Sequence, residues 1–483
     1  MSLDTALFLG IVTPLITAVL VPVFAVRVNW RDSAGPIGAI ISFIAALEVA
    51  LAAKDGITVE YTLITFTEGL SIAFNVTPLG AIFGLVASGL WILAALYTVG
   101  YMRGNHEKHQ TRFAICYAIA VHAAIAIAWS GNLLTLFIFY EVLTFSTYPL
   151  VTHKESKEAI TAGRIYMGIL VGTSVILLLP AIIWVWSATG SLDFTKGGIL
   201  KDAINPSYVP FLLALFAYGI GKAALMPIHR WLPTAMVAPT PVSALLHAVA
   251  VVKAGVFTML MVVIYIFGID FLSATGGSRW LAYVAGFTIL ASSVVAITKD
   301  DIKARLAYST ISQLSYIVLG AALATSAAIE GAALHIVMHA SAKITLFFCA
   351  GAIYVNAHLN KVSQLDGLGP RMPLVFAAYF LGALSIIGIP PLGGSWSKFM
   401  LMAGAVDAAM PIMVAVLAIS SLMNVYYLLD PVWRAFFKPV NSEIKVDNHR
   451  LTIIPPVLTA ILSMVLFFGI DMLTPFTALL VMP

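Results

Sequence analysis

The sequence predicts an all-α polytopic membrane protein of about fourteen transmembrane helices, with two inverted five-helix repeats that each contain a broken helix. Three observations predict it. Of the 483 residues, 61% are hydrophobic and 10% are charged, against roughly 45–50% apolar and about 25% charged in soluble domains. Apolar runs of about 18 residues or more recur along the whole chain, long enough to cross a bilayer as helices. Basic residues then alternate with the runs: eighteen Lys/Arg fall in loops on one face, and only Lys54, Lys196, Lys201 and Arg279 on the other. By the positive-inside rule the eighteen are cytoplasmic and both termini lie outside. The expected location is the cell inner (cytoplasmic) membrane, crossed many times.

Taken in order, the expected spans are about 5–26, 36–53, 76–101, 112–130, 132–152, 162–188, 208–227, 240–268, 279–298, 306–325, 328–356, 374–404, 409–430 and 452–473, each placed by apolar run length. MSLDTALFLG has no basic n-region or cleavage site and reads as the start of the first helix. Ile57–Thr77, between spans two and three, alternates polar and apolar residues and reads as a small outer hairpin. Span seven breaks in GIGKAALMPIHRWLP, and span twelve in GIPPLGGSWSKF, where Gly and Pro interrupt the helix beside a lysine. Pro227 and Pro390 lie five spans apart, and an odd offset reverses orientation in the membrane, as inverted repeats require. The organisation that follows is N-terminal helices 1–3 in 1–111, a first repeat (helices 4–8) in 112–268, a second (helices 9–13) in 279–437, and a C-terminal helix 14 in 438–483.

Five charges sit inside these spans: Glu141 in LFIFYEVLTF, and Lys222, Lys253, Lys343 and Lys398. A charge at the bilayer centre costs about 2.5–3.5 kcal/mol on insertion scales. Such groups persist where they pair, meet water or exchange protons with neighbours. Glu141 lies about 13 Å from either end of its span, too deep to reach the headgroups. Its competing reading is a structural ion pair between helices. For Lys222 the competing reading is snorkelling from a helix end. Span eight carries His247 and Lys253, six residues apart and on different faces; span eleven carries His335, His339 and Lys343 on one face at i, i+4, i+8. His247 reads equally as a packing hydrogen bonder, and so does the lone His122 of span four. Glu48 reads as an acid reaching the outer headgroups, and Asp430 and Arg434 close span thirteen on the basic side. The set holds the ingredients of a proton relay.

Neither a cofactor nor a metal is expected. Cys116 and Cys349 stand alone, GIGKAALM is not a phosphate loop, and HIVMH lacks the glutamate of a zinc helix. No carboxylate-rich cation cage is visible.

FYEVLTF on span five, GKAALMPIHRWLPTAMVAPTPVSALLHAVAVVKAG across spans seven and eight, and GIPPLGGSWSKF on span twelve together resemble the proton-conducting antiporter-like membrane subunits. That family includes the D-type component of Mrp multisubunit sodium/proton antiporters, to which the single fourteen-span unit is most similar. It also includes components of respiratory complex I and of membrane-bound hydrogenases. The resemblance covers roughly spans four to thirteen. It implies that Glu141, Lys222, Lys253 and Lys398, with the histidine-bearing span eleven (His335, His339), form an axis of charge and water joining two half-channels. It also implies pairing and release between Glu141 and Lys222. The function it implies is a proton-translocating, non-enzymatic subunit of a cation/proton antiporter. The alternatives are a proton-pumping subunit of a redox-driven complex or of a gradient-coupled uptake complex. Expected partners are other membrane subunits, the bilayer, protons and sodium, with no nucleic acid.

Overall fold

The computed structural model describes residues 2–245, 248, 250–439 and 444–482. Helix α1 (Leu3–Val23) packs on α2 (Val28–Lys54), and α2 on α3 (Pro78–Gly104). The hairpin expected between them forms: β1 (Glu60–Thr67) pairs antiparallel with β2 (Leu70–Asn75) from Glu60 opposite Asn75 to Thr67 opposite Leu70. It sits on the next helices, with Ala73 N donating to Thr135 Oγ1 at 2.9 Å and Gly131 N to Ala73 O at 2.8 Å.

Then come α4 (Gln110–Ala128), α5 (Leu133–Val151) and α6 (Lys157–Thr189). The starts are chemically marked. Thr77, Asn132 and Ser156 each accept a hydrogen bond from a backbone N–H of the first turn of α3, α5 and α6. Capping residues of this type satisfy N–H groups that the helix itself leaves open.

The chain continues through α7 (Pro206–Gly219), α8 (Val251–Phe267), α9 (Ile269–Thr275), α10 (Arg279–Thr298), α11 (Ile302–Leu323) and α12 (Ser326–Ala357). It closes with α13 (Pro373–Ile387), α14 (Gly394–Asp407), α15 (Pro411–Phe437), α16 (Arg450–Phe468) and α17 (Thr474–Val481). Helix α12 is the hub, with α3, α11, α13, α14 and α16 packed around its 32 residues. It and α11 are the most deeply buried helices, which is why polar side chains placed on them are shielded from lipid.

Among the described residues, eleven helices are long and apolar enough to cross a membrane. They coincide with expected spans one to six, nine to eleven, thirteen and fourteen. Fourteen continuous helices are therefore not what the chain forms. Span seven stops at Gly219, and span twelve divides into α13 and α14. Span eight is described as Thr240–Ala244 and α8, and α8 turns by 81° into α9 at Gly268, whose φ is +85°.

The breaks expose backbone groups that lipid cannot satisfy. The fold satisfies them internally. Past α7, Gly221 O accepts from Trp231 Nε1 at 3.0 Å, Lys222 N donates to Tyr140 Oη at 3.2 Å, and Met226 N to Thr288 Oγ1 at 3.3 Å. Between α13 and α14, Gly388 N donates to Leu384 O at 2.9 Å and Gly393 N to Ser463 O at 3.0 Å.

Candidate functional site

Lys222 rides on the short turn Gly221–Ala223 that follows α7 and is fully buried. The turn presses on α8 at Gly255, where a Cβ would lie 2.4 Å from Ala223 N and 2.5 Å from Lys222 C. Its ammonium reaches α5: Nζ donates to Tyr140 O at 2.9 Å and Thr144 Oγ1 at 2.6 Å, and lies 3.1 Å from the centre of the Tyr140 ring. Glu141 is the residue after Tyr140 and interacts electrostatically with Lys222. Direct pairing is not what forms: no ion pair joins the two within 4 Å, and both Glu141 carboxylate oxygens are buried with no hydrogen-bond partner among the described residues. Glu141 faces outward on α5, one turn before the exposed Phe145.

Lys253 is fully buried on α8, and its Nζ lies 2.8 Å from His339 Nδ1 of α12. One turn earlier on α12, His335 stacks on His339 with ring centres 5.7 Å apart and on Tyr316 at 5.5 Å. His335 Nδ1 lies 2.8 Å from Ser397 Oγ, the residue before Lys398. Lys398 Nζ donates to Ile387 O at 3.0 Å and Ser421 Oγ at 2.8 Å, and lies 5.0 Å from the centre of the Tyr316 ring. Gly388 leaves room for its stem, since a Cβ there would come within 2.7 Å of Lys398 Cδ. Lys343, further along α12, donates to Ser309 Oγ at 2.7 Å and Leu306 O at 3.4 Å.

The structure thus brings Lys253, His339, His335 and Lys398 into one line of contacts. Lys222 meets α5, and Lys343 meets α11. His247 lies outside the described residues. Of the other polar residues, His122 bonds Ile11 O through Nδ1 at 2.8 Å and packs edge-on against Phe139. Glu48 is exposed on α2. Asp430 accepts from Arg305 at 2.9 Å and from Arg434 at 3.1 Å, and Arg434 also reaches Asp366 at 3.1 Å. Among the described residues no three His, Cys, Asp or Glu side chains converge as a metal site.

Sequence reasoning missed the hydroxyls Thr144, Ser309, Ser397 and Ser421, the aromatic seats Tyr140 and Tyr316, and the polar cluster on the basic side. In that cluster, outside the spans, His153 lies 3.9 Å from Glu107 and edge-on to Phe113. Burial, helped by the Arg112 and His109 charges, pushes its imidazole down to about 4.

A family model described as "NADH:quinone oxidoreductase/Mrp antiporter, TM" matches residues 130–424, more than half the chain and all of α5 to α14. The chain belongs to this family. Its relatives include NADH-quinone oxidoreductase subunit N of Desulforudis audaxviator, 29% identical over 82% of this chain and 81% of that protein. The Na(+)/H(+) antiporter protein of Alkalihalophilus pseudofirmus, a component of a multisubunit system, is 29% identical over 96% of this chain and 61% of the relative. Hydrogenase-4 component B of Escherichia coli is 31% identical over 69% of this chain and 51% of the relative. The chain thus spans little more than half of the latter two. Two solved structures share the fold at a TM-score of 0.86. In the Mrp complex of Dietzia sp., identity is 22% over 99% of this chain and 97% of the matched chain. In an archaeal membrane-bound sulfane sulfur reductase, it is 24% over 98% and 96%. The antiporter-like fold is therefore that of a multi-pass membrane protein whose structural neighbours sit in multisubunit membrane complexes.

Proposed function

We propose that this chain is the proton-translocating, non-enzymatic subunit of a multisubunit sodium/proton antiporter of the Mrp type, in the position of the D-type component. Protons move along Glu141, Lys222, Lys253, His339, His335, Lys343 and Lys398, with His247 beside Lys253. The observation that carries this reading is that four buried lysines have no acidic partner within 4 Å among the described residues. Hydroxyls, carbonyls and imidazoles face them instead. A structural ion pair would have met its counter-charge, so the competing readings for Glu141 and the lysines lose support. Imidazole and amine groups can take and release protons near neutral pH, and Lys253 and His339 are within transfer distance at 2.8 Å.

The two units, 112–268 and 279–437, act as inverted repeats, each with a lysine at its Gly/Pro break. The 1–111 helices and the 438–483 helix flank them. In the same reading both termini lie outside the cytoplasmic membrane, with the basic loops inside. The test is cation-driven proton movement in everted vesicles. Glu141→Ala and Lys222→Ala each abolish it while the complex still assembles; normal transport in both would remove the reading. A second reading, a proton-pumping subunit of a redox-driven complex, is favoured by the likeness to the quinone oxidoreductase and hydrogenase relatives. The proteins that co-purify separate the two: small antiporter subunits for the first, electron-transfer subunits for the second. A large soluble partner would instead mark a gradient-coupled uptake complex.

A further inference from the structure

Three of the four buried lysines are held in the same way. Each ammonium lies between one backbone carbonyl and one hydroxyl: Tyr140 O and Thr144 Oγ1 for Lys222, Leu306 O and Ser309 Oγ for Lys343, Ile387 O and Ser421 Oγ for Lys398. The three cradles lie on different elements, α5, α11, and α13 with α15. Lys222 and Lys343 are fully buried and Lys398 is 4% exposed. In the first cradle Thr144 gives its own proton to Tyr140 O at 3.1 Å, so its oxygen lone pairs face Lys222.

The donor count explains the geometry. A neutral lysine amine has two N–H donors and a lone pair; an ammonium has three donors. Two acceptors satisfy both N–H groups of the amine and leave its lone pair open to an incoming proton. They satisfy two N–H groups of the ammonium and leave the third proton free to depart to water or to the next base. Each lysine can therefore gain and lose a proton without moving. A carboxylate in place of the cradle would instead hold the charged form. We propose that Thr144, Ser309 and Ser421 are positioning residues for proton transfer, keeping Lys222, Lys343 and Lys398 in place through both protonation states. Lys253 differs, since His339 Nδ1 faces it and is itself a proton acceptor.

This rests on the proton-translocating reading. The experiment uses the assembled complex in everted vesicles and measures cation-driven proton movement across a pH series. Thr144→Val keeps the shape of the side chain and removes the hydroxyl, and Ser421→Ala does the same for Lys398. Each variant is expected to assemble, to lose about tenfold in rate, and to shift the pH of half-maximal transport. Thr144→Ser and Ser421→Thr, which keep the hydroxyl, are expected to recover both. A packing role alone predicts that the valine variant works as well as the serine one. Wild-type rates and an unmoved pH midpoint in both Thr144→Val and Ser421→Ala would overturn the proposal. If Lys222→Ala also transports normally, the proton-translocating reading fails too; if it does not, only the cradle fails.

Discussion

At the scale of single residues, chemistry follows from which acceptors a buried charge meets. Lys222 meets a carbonyl, a hydroxyl and an aromatic face, all from α5, while Glu141 on the same helix faces away without a bond. His153 shows the opposite sign of the same physics. Arg112, His109 and Lys108 surround it, with Glu107 and Glu155 as the nearby acids, and its imidazole is held neutral down to about pH 4. The unfolded chain protonates it near pH 6.5, so between those values the unfolded state binds more protons. Stability tied to His153 is therefore full above about pH 6.5 and is lost as pH falls toward 4. His153→Asn should flatten the acid limb of thermal unfolding for the purified complex; an unchanged pH slope would contradict this assignment.

The buried charges were legible because a Lys or Glu in an apolar run has a known cost. The hydroxyls that hold them were not. Serine and threonine on membrane helices routinely bond back to the carbonyl four residues earlier, as Thr144 does. Nothing in their spacing separates a cradle from that ordinary bond. The Lys253–His339 contact, 86 residues apart in sequence, exists only once α8 packs beside α12.

At the scale of elements, the Gly/Pro breaks of spans seven and twelve were readable because those residues end helices for stated steric reasons. Apolar run length could not count continuous helices, since hydropathy persists across a break. The breaks depend on close backbone approach. Gly255→Ala places a Cβ 2.4 Å from Ala223 N, and should destabilise by roughly 1–3 kcal/mol while displacing Lys222. Thermal unfolding and transport should fall together. Gly168→Ala is the control: nothing lies within 4 Å of its Cβ position on α6, so a loss there similar to that at Gly255 would argue against the packing account. The Asp301 cap of α11, accepting from Ala304 N at 2.8 Å, predicts that Asp301→Ala lowers stability by about 0.5–2 kcal/mol. An unshifted unfolding temperature would show that the helix start is held by other contacts.

At the scale of the whole molecule, the distribution of basic residues predicts orientation. In a background without Cys116 and Cys349, Lys54→Cys should react with an impermeant thiol reagent from outside, and Lys154→Cys only from the cytoplasmic side. Reversed labelling would invert the direction of transport drawn from the fold. The outward-facing, half-buried Glu141 belongs to this scale as well, because the matched folds sit in multisubunit complexes, where a neighbour can cover such a face. Complex membership was legible only through the resemblance; no residue of the chain names its partners. The central claim is that the lysines inside the bundle carry the protons, and Lys253 is its midpoint, between α8 and the histidines of α12. The most direct measurement is cation-driven proton movement in everted vesicles carrying the assembled complex with Lys253→Leu. The account predicts loss of transport with assembly intact; transport at the wild-type rate would contradict it.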